Sequence, residues 1–167
     1  MKGIEVVFFR HGIAADTVPD HSRNLTEEGI RKTYASAEGL KKMEIPFDRI
    51  FTSPWLRAVQ TAAILSEVLR LAKPEEMPEL AGDHTAEELL EALRKSKGNC
   101  FLLVGHQPLL ADAASKLLGA EGRCEIDLKK SGACCVHVDA LPPKKPASLK
   151  WLMTSRQLRA TGKMGGG

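Results

Sequence analysis

Ile4-Glu5-Val6-Val7-Phe8-Phe9 runs into Arg10-His11-Gly12, and the reading of this stretch decides the fold. A short run rich in β-branched and aromatic residues reads as a buried strand. Its end in a cation, an imidazole and a glycine delivers reactive groups to one edge of a sheet. The pattern recurs twice. Arg49-Ile50-Phe51-Thr52 leads into Ser53-Pro54-Trp55-Leu56-Arg57, and Cys100-Phe101-Leu102-Leu103-Val104 leads into Gly105-His106. Ligands of open α/β sheets bind outside the carboxyl ends of the strands. Three strand ends thus bring two histidines and two arginines to one place, a combination suited to a phosphoryl group.

Helix-like stretches separate these strands, which predicts βαβ units around a largely parallel sheet. Thr26 is expected to cap a helix reaching about Met43, with Glu27 and Glu28 favourably placed in its first turn. Ser53 is read as the cap of a second helix with Pro54 at its first position. Its apolar face would be Ala58, Ala62, Leu65 and Leu69. Glu76 to Leu80 reads as a short crossing segment, Thr85 to Lys97 as a third helix and Pro108 to Leu118 as a fourth. Ala133 to Val138 and Ser148 to Met153 read as two antiparallel strands joined by the proline-rich loop Leu141 to Pro146. One domain over residues 1–161 with a flexible tail over 162–167 is the expected organisation.

Composition narrows the functional class. The 167 residues are 43% hydrophobic and 27% charged, with a net charge of +3, ordinary for a soluble globular protein. The basic residues form no stripe or module of a nucleic-acid binder. The apolar amino-terminal run is too short for a membrane span or a signal peptide, so a cytoplasmic protein without membrane or nucleic-acid partners is expected. Cys100, Cys124, Cys134 and Cys135 follow no metal-binding spacing and are expected to be buried, reduced thiols. No metal or dinucleotide motif is present, so neither metal nor cofactor is implied.

Four motifs in order carry a family resemblance. They are Arg10-His11-Gly12, then Arg23-Asn24-Leu25-Thr26-Glu27-Glu28-Gly29, then Ser53-Pro54-Trp55-Leu56-Arg57-Ala58-Val59-Gln60-Thr61, then Gly105-His106-Gln107-Pro108-Leu109, with a weaker echo at Trp151-Leu152-Met153. Across nearly the whole chain this resembles the histidine phosphatases, which include the phosphoglycerate mutases, and most closely the small bacterial phosphohistidine phosphatases of the SixA type. The resemblance implies an α/β three-layer sandwich, phosphoglycerate mutase-like, with a mostly parallel central sheet and helices on both faces.

The expected chemistry follows residue by residue. His11 is the candidate nucleophile, since a neutral imidazole can attack phosphorus and carry a covalent phosphohistidine. Arg10, Arg57 and Arg23 form the candidate phosphate clamp, with Gly12 allowing close backbone approach. Arg57 sits in the first turn of its helix, where a cation opposes the helix dipole and a bound anion would compensate. His106 is placed by the resemblance against the transferred phosphoryl, with amides at the start of the following helix adding to the anion site. Relatives carry a glutamate as general acid at a position aligned near Gly82. Glu79 or Asp83 is the candidate substitute proton donor. A weak acid favours an imidazole leaving group, which accepts its own proton near neutral pH. The expected function is therefore hydrolysis of a P–N bond on a phosphohistidine-containing protein in signal transduction. The alternatives are a phosphatase for a small phosphate ester, such as a sugar phosphate, and a non-catalytic phospho-ligand binding module.

Overall fold

Alternate side chains of the first strand feed two separate cores, which is why Val6 to Phe9 are apolar without a break. The computed structural model describes residues 3–164. Strands are β1 (Ile4–Arg10), β2 (Arg49–Thr52), β3 (Glu75–Glu76), β4 (Cys100–Gly105), β5 (Ala133–Val138) and β6 (Ser148–Met153). Helices are α1 (Glu27–Lys42), α2 (Leu56–Leu69), α3 (Ala86–Arg94), α4 (Leu109–Leu117) and α5 (Ser155–Lys163). Val6 and Phe8 of β1 join Phe101 and Leu103 of β4 under Leu89 and Leu93 of α3 and Leu110 and Leu117 of α4. Val7 and Phe9 join Leu102 and Val104 on the other face, under Leu40 of α1, Ala62 and Leu65 of α2 and Leu158 of α5. Strands buried on both faces read as continuous apolar runs.

The sheet order is β3-β2-β4-β1-β5-β6. β1, β2, β3 and β4 run parallel, while β5 and β6 form the antiparallel pair at one side that the sequence predicts. This is the expected α/β, three-layer, mostly parallel architecture. Register aligns the strand ends, with Arg10 opposite Gly105 and Thr52 opposite Val104. From neighbouring ends, β1 leads to α1 on one face and β4 leads to α4 on the other. That divergence opens a crevice at the strands' carboxyl ends, where such folds bind ligands.

Local signals were accurate where a cap is self-contained. Thr26 caps α1 by accepting from the Gly29 amide. The helix expected from Thr85 to Lys97 is α3, which ends at Arg94 and starts after a reciprocal box of Thr85 and Glu88 that the sequence reading did not single out. Three expectations need correction. α2 starts at Leu56 with Trp55 as its N-cap residue, because the Ser53 amide still bonds the Val104 carbonyl beyond the end of β4's neighbour strand. The crossing segment is partly an edge strand, β3, pairing with β2 before a 3-10 turn at Pro78–Leu80. The tail expected from Gly162 instead begins inside α5, which continues through Lys163. Only Leu158 of α5 is buried, so no apolar stripe marks that helix. Its sequence signal is the capping box of Thr154 and Gln157. Gly165 to Gly167 lie outside the described residues. Cys100, Cys134 and Cys135 are buried as expected, but Cys124 is exposed in the loop after α4.

Candidate active site

The crevice gathers His11, Arg57 and His106 at the aligned strand ends, with Arg10 as the last residue of β1. His11 is 7% exposed and its Nδ1 lies 2.7 Å from the Gly12 carbonyl. A carbonyl only accepts, so Nδ1 carries the proton and Nε2 presents its lone pair. Arg57 Nε donates to that Nε2 at 3.2 Å. The His106 ring lies 5.0 Å from the His11 ring, centroid to centroid. His106 Nε2 lies 2.7 Å from Ser53 Oγ, and its Nδ1 is buried without a partner. Ser53 Oγ also accepts the Trp55 amide at 3.2 Å. Ser53 is thus a strand-end bracket for His106 as well as a turn residue.

Arg57 is 5% exposed and fully engaged. Besides His11 it donates through Nη1 to the Asp20 carbonyl at 2.7 Å and through Nη2 to Asp20 Oδ2 at 3.3 Å. Arg23 donates to Asp20 Oδ1 at 3.0 Å and to the Ala15 carbonyl at 2.7 Å. One carboxylate therefore joins Arg23 to Arg57, holding in place a loop arginine that no helix or strand fixes. Arg10 donates through Nη1 to the Leu128 carbonyl at 3.0 Å, while its Nε is buried without a partner. Trp55 packs on His106 at 4.7 Å between ring centroids, and Arg57 Cζ lies 5.0 Å from the Trp55 ring centre.

Two backbone expectations change. The Gly12 amide donates to Thr61 Oγ1 at 3.0 Å, and a Cβ at Gly12 would lie 2.5 Å from Thr33 Oγ1. Glycine is needed there for packing against α1, and its amide is already satisfied. At the start of α4, the amides of Leu110, Ala111 and Asp112 bond the His106 carbonyl, Gln107 Oε1 and the Pro108 carbonyl. That helix closes its own first turn, so these three donors are not free for an anion.

Neither candidate proton donor is tied to the histidines by a hydrogen bond. Glu79 lies in the 3-10 turn beside a depression shared with Glu88, Glu91 and Lys95, and Asp83 is exposed in the turn before α3. Among the described residues, neither hydrogen-bonds to a side chain of the site. The carboxylate that does reach it is Asp20, which sequence reasoning overlooked. Its only local signal is its place three residues before Arg23. Gly82 lies against Trp55, with a Cβ there 3.0 Å from the ring. A side chain there would require the indole to give by a few tenths of an ångström.

A family model described as "Histidine phosphatase superfamily (branch 1)" matches residues 6–85. Phosphohistidine phosphatase SixA of Escherichia coli (strain K12) is 32% identical over 123 residues, 71% of this chain and 76% of that protein. The chain belongs to the histidine phosphatase superfamily. An uncharacterized protein of Picosynechococcus is 36% identical over 135 residues, covering 77% of this chain and 82% of that one. The structure of the protein histidine phosphatase SixA complexed with tungstate matches with a TM-score of 0.82 at 27% identity, covering 93% of this chain and 99% of that one. The match supports a SixA-type member with the phosphoglycerate mutase-like fold.

In this histidine phosphatase both imidazoles are held neutral. Burial first, then the positive charges of Arg57, Arg10 and Lys130, push His11 down to about 4 against the opposing bond to Gly12. Burial, then His11 and Arg57, push His106 down to about 3, with Asp20 opposing. The arrangement is a positively charged hollow around two uncharged rings, and a bound dianion would reverse the balance. Asp20 itself is held below the usual carboxylate range, chiefly by Arg23 and then, against a small burial effect, by Arg57. Among the described residues no three His, Cys, Asp or Glu side chains cluster to hold a metal ion, and no helix is long and apolar enough to cross a membrane.

Proposed function

We propose that this chain is a phosphohistidine phosphatase that cleaves the P–N bond of a phosphorylated protein through a phosphohistidine on His11. The observation that carries the reading is the state of His11, neutral, with Nδ1 committed to Gly12 and the Nε2 lone pair directed to the Arg57 side. An incoming phosphoryl oxygen competes for Arg57 and frees that lone pair. Nε2 then attacks phosphorus, the bond from phosphorus to the substrate imidazole breaks, and that imidazole takes its proton from solvent. Water attacks the phosphoryl on His11 in the second step, releasing phosphate and restoring the free ring. Arg10, Arg57 and Arg23 neutralise the charge on the transferring oxygens, a role that needs no metal. The unpartnered Nδ1 of His106 is suited to donate to one of them.

Preference for a P–N bond rests on the absence of a ready acid. Asp20 is the carboxylate on the clamp, and Arg23 and Arg57 favour its ionised form. An ester leaving group would lack the general acid that is worth about a hundredfold to ten-thousandfold. An imidazole leaving group does without it. The location of such a reaction would be the cytoplasm, with a phosphohistidine-containing signalling protein as substrate.

The test compares kcat/KM for a phosphohistidine peptide with that for a sugar phosphate, alongside trapping of radiolabelled phosphate on the chain. Faster turnover of the peptide, acid-labile label on wild type and none on folded His11→Ala are expected. Faster ester cleavage would favour the small-ester alternative. Appreciable hydrolysis by folded His11→Ala would remove His11 as the nucleophile.

A further inference from the structure

Beside the phosphoryl site lies a second, strongly basic hollow that shares Arg10 with it and whose other cations the chemistry above does not use. It encloses about 440 Å³ and is lined by Arg10, Lys32, Lys129, Lys130 and Arg159, with Ile13, Ser131 and Ser155 between them. Among the described residues no carboxylate lines it. The cations come from four places far apart in sequence: the end of β1, α1, the loop before β5, and α5. We propose that this hollow docks acidic side chains flanking the phosphohistidine on the partner protein. The inference rests on the phosphohistidine reading and names the kind of surface that presents it.

Continuity with the reactive site comes through Arg10. Its Nη1 is tied to Leu128, leaving Nε buried without a partner. Lys130 is near enough to His11 to help hold that ring neutral. Of the remaining cations, Lys32 pairs with Glu28 at 2.7 Å and Lys129 with Asp127 at 2.9 Å, both at the surface. Such exposed pairs are worth about 1 kcal/mol or less, so a partner's carboxylate can share these lysines at little cost. Among the described residues Lys130 and Arg159 have no ion pair.

The opposite flank has the reverse character. The hollow beyond Gly82 and Pro108 carries Glu87, Asp112 and Glu121, of which Glu87 and Glu121 share one cation, Lys116, at 2.8 and 3.2 Å, so the acidic groups outnumber it. An acidic segment entering the crevice is attracted to one side and repelled from the other, which fixes its direction. A small monophosphate cannot occupy both the phosphoryl site and the basic hollow. A phosphohistidine within a protein always brings neighbouring residues, and an extended chain advances about 3.3 Å per residue, so side chains near it in sequence can reach adjoining ground.

The experiment uses three substrates and one binding probe on the full chain. The substrates are phosphoramidate, a phosphohistidine peptide with Asp and Glu flanks, and the same peptide with neutral flanks. The probe is a fluorescein-labelled, unphosphorylated Asp/Glu peptide followed by anisotropy. Expected for wild type is a KM for the acidic peptide at least about fivefold below that of the neutral one, a preference that fades as salt shortens the Debye length from about 10 Å at 0.1 M. The double variant Lys32→Glu, Arg159→Glu should lose the preference and bind the probe at least about fivefold more weakly, while phosphoramidate turnover and circular dichroism stay at wild-type values. The milder Lys32→Gln, Arg159→Gln pair should fall between. Equal KM values for the two peptides, or probe binding untouched by the charge reversals, would overturn the docking proposal. Salt-sensitive probe binding in an enzyme that cleaves only esters would sink the phosphohistidine reading and leave the acidic docking surface standing. Tight binding of a bisphosphorylated small ester without binding of the probe would assign the hollow to a small ligand and overturn the proposal.

Discussion

Lowering the pH from about 7 to about 5 asks two imidazoles to accept protons that the folded protein resists. His11 titrates at about 4 in the fold against 6.5 unfolded. The unfolded chain therefore binds more protons across this window, and stability present above 6.5 is lost as the pH falls toward 4. For His11 alone the loss by pH 5 comes to roughly 2 kcal/mol, from a shift in which each unit is worth about 1.4 kcal/mol. His106 is pushed further down, to about 3, but part of that push is His11 itself. The rings titrate as a pair, and the combined loss should be less than two independent steps. Carboxylates that the fold holds ionised, such as Glu75 and Glu91, lose their contribution only below about pH 5, so the histidines dominate above it. Urea unfolding at several pH values on wild type and on His11→Gln is the assay. The variant should retain roughly 2 kcal/mol more of its own neutral-pH stability at pH 5 than wild type retains. Identical slopes for the two proteins between pH 6.5 and 5 would show that His11 is not held neutral by the fold, and would remove the electrostatic basis of its nucleophilicity.

Two further outcomes follow from the clamp and its support. Arg57→Lys should lower kcat/KM by at least about tenfold, or about 1.4 kcal/mol of transition-state stabilisation, because ammonium cannot reproduce the three directed donors now given to His11 and Asp20; steady-state kinetics at wild-type values would make Arg57 a structural residue only. Thr61→Val should cost about 1–3 kcal/mol by leaving the Gly12 amide buried and unpaired. Calorimetry should then show Tm lower by several degrees at this chain length, and an unchanged Tm would mean that the Gly12 amide finds another partner.

The sequence by itself determined what depends on neighbouring residues. Apolar runs buried on both faces identified β1 and β4, and the self-contained cap at Thr26 located the start of α1 within a residue, whereas the helix expected over Thr85 to Lys97 ends at Arg94. Strand ends carrying Arg10-His11-Gly12, Ser53 to Arg57 and Gly105-His106 marked the edge where the candidate site residues gather, because register and a parallel sheet bring such ends together. Tertiary structure decided what depends on loops and on packing between distant segments. Asp20 opens a three-residue 3-10 turn with no periodicity, yet it binds two arginines, one of them 37 residues away in sequence. Ser53 reads locally as a cap, but the approach of β4 turns it into a bracket for His106. Helix α5, with only Leu158 buried, has too little apolar pattern to announce itself and is held by docking on α1. Gly82 looks like a lost acid in one dimension, and in three it packs closely against the Trp55 ring. Short-range periodicity and capping are written in adjacent residues, whereas a carboxylate's partner or a ring's neighbour exists only after the chain has closed on itself.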